Sequence, residues 1–84
     1  ILYVFIIYLT CQNEAALAGP SIAEIKIKGI NVFSLLPGEA DNGHDAIAFT
    51  FPVPIRLIAT ETIKVASDRA NLEAHGGFVG YLLP

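Results

Sequence analysis

The chain has 84 residues, 54% of them hydrophobic and 15% charged, with a formal net charge of −3 and a single cysteine. This length allows one domain, residues 1–84. A chain this apolar has too few polar residues to cover the surface of a monomer, which favours oligomerisation. The composition excludes an internal disulfide and a multi-cysteine zinc site, and five basic residues give no clustered positive footprint for nucleic acid.

The first predicted element is the apolar run ILYVFIIYL at the start of the chain. Its β-branched and aromatic residues favour a β-strand over residues 1–11, because signal-peptide cores are usually rich in leucine and alanine. The alternative is a secretory signal over residues 1–18, in which Ala16-Leu17-Ala18 matches a cleavage site. No membrane span is predicted, because about 11 apolar residues are fewer than the roughly 20 that a bilayer core requires.

The next segment predicts one short turn followed by two strands. Helix formers run only from Glu14 to Ala18 before Gly19-Pro20, so at most one helical turn fits there. SIAEIKIKG then alternates, with Ile25 and Ile27 on one face and charged residues on the other, which predicts a strand with one wet face. Gly29 breaks or bulges this strand. INVFSLLP follows as a second short apolar strand.

The polar loop GEADNGHDA, residues 38–46, is the densest group of potential ligands in the sequence. Its Asn42-Gly43 pair favours positive φ and a tight reversal, and we expect a solvated hairpin. The carboxylates lack the oxygen spacing of a calcium loop. The two histidines, His44 and His75, are too few for a zinc site without cysteine ligands. No metal site and no cofactor are predicted.

The second half of the chain predicts three strands. AIAFTFPVPIRLIAT places the odd-numbered residues 47–57 on one face, and Pro52 and Pro54 require a sheet edge or a change of sheet. Ile63 and Val65 face inward on the next strand. LEAHGGFVGYLLP is the last strand, with a bulge expected at Gly76-Gly77. The pattern predicts an all-β fold, a small antiparallel β-sandwich or jelly roll of six to eight short strands.

The chain offers no catalytic constellation. There is no phosphate-binding glycine loop, no Ser-His-Asp arrangement and no CxxC motif. Cys11 is interpreted as a small buried residue, because the sequence offers it no activating partner. His75 is interpreted as a strand-end or interface residue. We therefore expect a protein that is not an enzyme.

The segment FTFPVPIRLIATETIKVASDRANLEAHGGFVGYLLP, residues 49–84, is similar to the C-terminal part of small all-β virion proteins of tailed bacteriophages. These are head fibres, decoration spikes and tail-fibre head domains. The resemblance is carried by the strand Pro54-Ile55-Arg56-Leu57, by Glu61, Ile63 and Val65, and by Gly80-Tyr81. It implies a jelly-roll-like sandwich, commonly trimeric and displayed on a particle, of which this chain would lack the N-terminal anchoring segment.

The expected function is that of a structural virion protein that associates with itself and displays its loops. The resemblance implies a homotrimer that contacts other capsid or tail proteins and a host-surface glycan. On a rigid sandwich, the loops are the segments that contact partners. The candidate contact residues are therefore Glu39, Asp41, Asn42, His44, Asp45, Asp68 and Arg69. Apolar residues in excess of one core give the candidate subunit interface Tyr3, Phe5, Phe78 and Tyr81, with Phe33 a further exposed aromatic. The alternative is a small secreted or periplasmic binding module with residues 1–18 as its signal.

Overall fold

A computed structural model describes residues 1–16 and 21–84 and confirms the predicted all-β fold. Six strands lie within the predicted range of six to eight, and the described residues include no helix. The strands are β1 (Leu2–Asn13), β2 (Ala23–Ile27), β3 (Ile30–Leu35), β4 (His44–Leu57), β5 (Ile63–Ser67) and β6 (Leu72–Leu82). The predicted helical turn and the cleavage site involve residues 17–20, which lie outside the described residues.

The strands form two antiparallel three-stranded sheets. The first sheet has the order β4-β1-β6, and the second has the order β3-β2-β5. The connections from β3 to β4, from β4 to β5 and from β5 to β6 all pass from one sheet to the other. The predicted hairpin at residues 38–46 is therefore wrong: this loop is a crossover, because β3 and β4 pair with different central strands.

β2 and β3 form a tight hairpin whose turn is set by two left-handed residues. Lys28 has φ 56° and Gly29 has φ 77°, the combination that matches the twist of the flanking strands. Of the two predicted effects of Gly29, a break or a bulge, the structure shows the break, since β2 ends at Ile27 and β3 begins at Ile30. Ile25 and Ile27 are buried, as their alternation predicts.

β1 is the central strand of the first sheet, and the predicted strand at the start of the chain is confirmed and extends to Asn13. Its buried residues change parity along the strand, since Val4 is buried but so are Ile7 and Leu9. The cause is a register shift at Phe5, which has no partner of its own on β6. A bulge of this kind moves the inward-facing set by one residue.

β4 is the long edge strand that its two prolines predict. It pairs with β1 on both sides of residues 51–54, so it does not change sheets. Ile55 faces Val4 and Thr50 faces Ile6, so the intervening residues arch away from the ladder. Val53 breaks the predicted period of two: it is 74% exposed because it lies in this arch, whereas Phe51 and Ile55 are half-buried.

β6 pairs with β1 without interruption through Gly76 and Gly77, so the bulge predicted there is wrong. Instead, the absence of a side chain at these glycines lets neighbouring residues lie close to the backbone of β6. A Cβ on Gly76 would lie 2.6 Å from Cγ2 of Val65 on the opposite sheet, and one on Gly77 would collide with the ring of Tyr8. The irregularity lies on β1, at Phe5.

Residues of both sheets contribute to one apolar core cluster. Its buried residues are Val4, Ile7, Leu9, Cys11, Ala23, Ile25, Ile27, Leu35, Leu57 and Leu72. The second sheet is shorter than the first, and an open apolar cavity of about 420 Å³ remains beyond it, lined in part by Leu2, Phe78 and Leu82. In the part of the chain that is described, no helix has the length and apolar character needed to cross a membrane.

Candidate functional site

The two predicted contact loops lie at the same end of the molecule. The backbone N–H of Asn13 donates to the carbonyl of Gly43 at 2.8 Å, and the N–H of Glu14 donates to the carbonyl of Asn71 at 2.8 Å. The end of β1 therefore fastens both the β3–β4 loop and the β5–β6 turn. We call this region, residues 37–45 and 67–73 with Glu14, the loop end.

The side chain of Asn13 organises the β3–β4 loop from inside. It is fully buried, and its Nδ2 donates to the carbonyls of Gly38 at 2.9 Å and Ala40 at 3.0 Å. Asn42 has φ 62°, which agrees with the predicted positive φ, whereas Gly43 is not left-handed. The sequence offered no signal for this role of Asn13, because its partners lie about 25 residues further along the chain.

The predicted contact residues fall into two groups. Those in the loops are exposed: Glu39, Asp41 and Asn42 in the β3–β4 loop, and Asp68 and Arg69 in the β5–β6 turn. His44 and Asp45 begin β4 and are exposed as well. Asp68 also has an internal role, since its Oδ1 accepts the backbone N–H of Ile22 at 2.8 Å.

Negative charge is concentrated at the loop end. Six of the eight acidic residues lie there, whereas one of the five lysine and arginine residues does. The acidic residues are Glu14, Glu39, Asp41, Asp45, Asp68 and Glu73, and the basic one is Arg69. The other four basic residues, Lys26, Lys28, Arg56 and Lys64, lie on the rest of the molecule with two acidic residues, Glu24 and Glu61, so that part has a positive formal charge.

A shallow polar cleft adjoins the loop end on the first sheet. It has a volume of about 290 Å³ and brings together the two histidines that are 31 positions apart in the sequence. Its lining residues are Thr10, Cys11, Gln12, His44, Asp45, Ala46, Glu73 and His75. Within residues 1–16 and 21–84, no group of three or more histidine, cysteine or acidic side chains is placed to hold a metal ion.

Glu73 is the most strongly interacting group of this cleft. Its Oε1 lies 2.5 Å from Nε2 of His75. The hydrogen bond with His75 lowers the pKa of Glu73, and a hydrogen bond with Glu14 adds a smaller lowering. The hydrogen bond between the carboxyl groups of Glu14 and Glu73 raises the pKa of Glu14. The cleft therefore contains a hydrogen-bonded pair, Glu73 and His75, and presents both donors and acceptors to a small polar ligand.

Cys11 borders the cleft from the core side. It is buried, and burial raises the pKa of its thiol, with the charge of Asp45 adding a smaller effect in the same direction. A thiol with a raised pKa stays protonated near neutral pH and is a poor nucleophile.

The other half of the first sheet presents aromatic side chains on its outer face. Tyr3 and Tyr81 stack at a centroid distance of 5.3 Å and an angle of 12°, and the ring of Phe5 lies 6.3 Å from that of Tyr81. Tyr8 and Val79 are exposed on the same face, by 43% and 47%. We call these five residues the aromatic patch.

Three of the four predicted interface residues therefore come together in the aromatic patch. Phe78 does not belong to it. It pairs with Ile7 on the core side of the sheet and is 44% exposed in the open apolar cavity. Phe33 is engaged within the chain, since its ring lies 5.5 Å from that of Phe49.

Comparison with known proteins gives no further guide: no family model, no curated protein and no solved structure matches this chain.

Proposed function

We propose that this chain is a non-enzymatic structural β-sandwich that associates with copies of itself through its apolar surface and displays its loop end. The observation that carries the proposal is the aromatic patch. Tyr3, Tyr81 and Phe5 form a ring cluster on a sheet face that no other part of the described chain covers. Contiguous apolar surface of this kind marks an interaction site on a small protein.

The composition of the patch supports a protein partner. Tyrosine and phenylalanine are enriched at interface centres, where charged residues are depleted. The face around Tyr3, Tyr8 and Val79 carries a single charged side chain of β4, Arg56, next to Tyr3 in the sheet register. Charged groups at the rim of an interface are common and fix orientation more than affinity.

The loop end is the surface that remains displayed. Its excess of carboxylates favours neutral or cationic partners and disfavours phosphate-bearing ones. A neutral host-surface glycan, or a basic face of another capsid or tail protein, is compatible with the negative charge of the loop end. The resemblance of residues 49–84 supports a role on a virion, as a decoration, fibre or spike protein, and implies an assembly of three subunits.

A secreted or periplasmic binding module is the second candidate, and the polar cleft favours it. Two histidines, Glu73 and Gln12 around a volume of about 290 Å³ suit a small polar ligand. Against it, β1 is the central strand of the first sheet and supplies Val4, Ile7 and Leu9 to the core. Loss of residues 1–18 as a signal would remove that strand.

Association is tested by the mass of the purified chain in solution, measured by sedimentation from nanomolar to micromolar concentration. We expect an oligomer whose dissociation constant rises at least about tenfold in Tyr81→Asp, because a charge enters an apolar contact. Ala46→Asp is the matched control: it is exposed on the same sheet face, outside the aromatic patch. A wild-type chain that stays monomeric at micromolar concentration contradicts the proposal.

The virion role is tested separately, by mass spectrometry of purified particles from the natural source. We expect peptides of this chain in stoichiometric amount. Their absence from particles, together with the chain in culture supernatant, would favour the secreted module.

A further inference from the structure

The edge of β6 is long and carries no charged side chain over its last seven residues, from Gly76 to Leu82. β6 lies at the edge of the first sheet and runs for 11 residues. Exposed large apolar side chains concentrate here: Phe78, Val79, Tyr81, Leu82 and Leu83. An edge of this kind is a template for pairing with another strand.

The ladder between β1 and β6 determines which backbone groups face the free edge. At one end of β1, Leu83 exchanges two hydrogen bonds with Ile1, and at the other end the carbonyl of Asn71 accepts one from the N–H of Glu14. Both β6-side residues are odd-numbered. Since antiparallel hydrogen bonds alternate, odd residues of β6 bond to β1 and even residues point the other way. The outward-facing groups belong to Ala74, Gly76, Phe78, Gly80 and Leu82.

The other three edges are poor templates. β4 contains Pro52 and Pro54 and the arch around Val53, which interrupt any continuous ladder. β3 and β5 have six and five residues. Short strands, prolines and bulges are the devices that protect sheet edges from pairing, and β6 has none of them.

We propose that β6 pairs antiparallel with β6 of a second copy of this chain, about a two-fold axis at Phe78, to form one six-stranded sheet. This inference rests on the proposed self-association and adds to it a backbone contact along the edge of β6, the strand that also carries Val79 and Tyr81 of the aromatic patch. Phe78 of one copy faces Phe78 of the other, Gly76 faces Gly80, and Ala74 faces Leu82. The interface is isologous, so it closes at two subunits.

The charge distribution favours this direction of pairing. In an antiparallel pair, the acidic loop end of each copy lies beside the opposite end of the other copy, which carries Lys28 and Arg56 and one carboxylate, Glu61. A parallel pair would set the two acidic ends side by side. Avoiding this contact between like charges favours the antiparallel arrangement.

Two-fold pairing differs from the trimer that the resemblance implies. A three-fold ring of extended sheets needs β6 to meet a different edge, and the edge of β4 is interrupted by its prolines. A trimer would therefore form through faces such as the aromatic patch and leave the edge of β6 unpaired. Subunit number and edge pairing together distinguish the two assemblies.

The register is tested by disulfide trapping in a Cys11→Ala background, which removes the native thiol. Directly opposed, hydrogen-bonded residues have Cα atoms about 5.5 Å apart, within the range that a disulfide spans. Phe78→Cys should give covalent dimers under mild oxidation, in at least about tenfold greater yield than Val53→Cys, an exposed control on the other edge strand. Equal yields from the two variants would overturn the proposal.

Two measurements keep the test independent of the folding of the cysteine variants. In the wild-type chain at high concentration, hydrogen exchange should protect the amides of Gly76, Phe78 and Gly80 as well as their odd-numbered neighbours. Phe78→Lys should raise the dissociation constant at least about tenfold because it opposes two like charges, and Phe49→Lys, of similar exposure on β4, should leave it unchanged.

The outcomes separate this inference from the proposed function. A two-chain mass with protected β6 amides supports both. A trimer with exchanging β6 amides overturns edge pairing and leaves self-association intact. A monomer overturns both, and a monomer whose β6 amides become protected only on adding another virion protein assigns the edge to that protein.

Discussion

The buried side chain of Asn13 holds the carbonyl oxygen of Gly38 at 2.9 Å, across 25 residues of chain. This contact, with its companion to Ala40, ties the end of the central strand to the crossover loop between the two sheets. The loop that carries most of the predicted contact residues is thereby positioned by a core residue.

Replacing Asn13 should destabilise the whole domain. Asn13→Ala removes two hydrogen bonds from a fully buried site, and we expect a loss of about 2 kcal/mol in the free energy of unfolding. Asn13→Asp should cost more, because a carboxylate would face two carbonyl oxygens. Urea denaturation followed by circular dichroism measures both. Asn31→Ala, which removes an exposed bond to Ser34, should cost less than about 0.5 kcal/mol; an equal loss would contradict the role of Asn13.

Two glycines of β6 should differ in their tolerance of a methyl group. A Cβ on Gly80 would collide with the backbone carbonyl of Tyr3, whereas one on Gly77 would meet the movable ring end of Tyr8. We expect Gly80→Ala to cost about 3 kcal/mol and Gly77→Ala less than about 1 kcal/mol. Thermal melting of the two variants under the same conditions makes the comparison, and similar costs would show that the strands separate easily near Tyr3.

Glu61 should stabilise the fold only above acidic pH. Its Oε1 accepts the backbone N–H of Ile58 at 2.9 Å, and its Oε2 lies 3.5 Å from Nζ of Lys28. The hydrogen bond from Ile58, and then the charge of Lys28, lower the pKa of Glu61 below its ordinary value of 4.5. A lowered pKa means that the contribution is present above pH 4.5 and is lost as the pH falls through the lowered value.

The measurement is the urea midpoint of the wild type and of Glu61→Gln at pH 7 and about pH 3. The wild type should have the higher midpoint at neutral pH, and the difference should shrink in acid. Glu39→Gln, in the loop at the opposite end of the molecule, reports the effect of removing one carboxylate alone. A difference that persists unchanged in acid would assign the effect to something other than the charge of Glu61.

Removing metal ions should leave the melting temperature unchanged. The carboxylates of the β3–β4 loop lack the spacing of a calcium loop, and the loop is organised by Asn13 rather than by an ion. Incubation with a chelator followed by thermal melting is the check. A fall of more than about 5 °C, near 1 kcal/mol for a domain of this size, would reveal a structural ion.

The local pattern of the sequence determined where the strands lie, which residues of β2 face the core, and which strand lies at an edge. Alternation placed Ile25 and Ile27 in the core, β-branched and aromatic residues marked β1, and Pro52 and Pro54 placed β4 at an edge. These properties follow from the two-residue period of a strand and from the missing N–H of proline, both of which are local.

The tertiary structure alone decided which strands pair and how. The bulge at Phe5 reverses the face of β1, Val53 is displaced into the arch opposite it, and His44 and His75 reach one cleft. Tyr3, Phe5 and Tyr81 share one face for the same reason. A register shift depends on the partner strand, and the partner of each residue lies tens of positions away, so no local period can encode it.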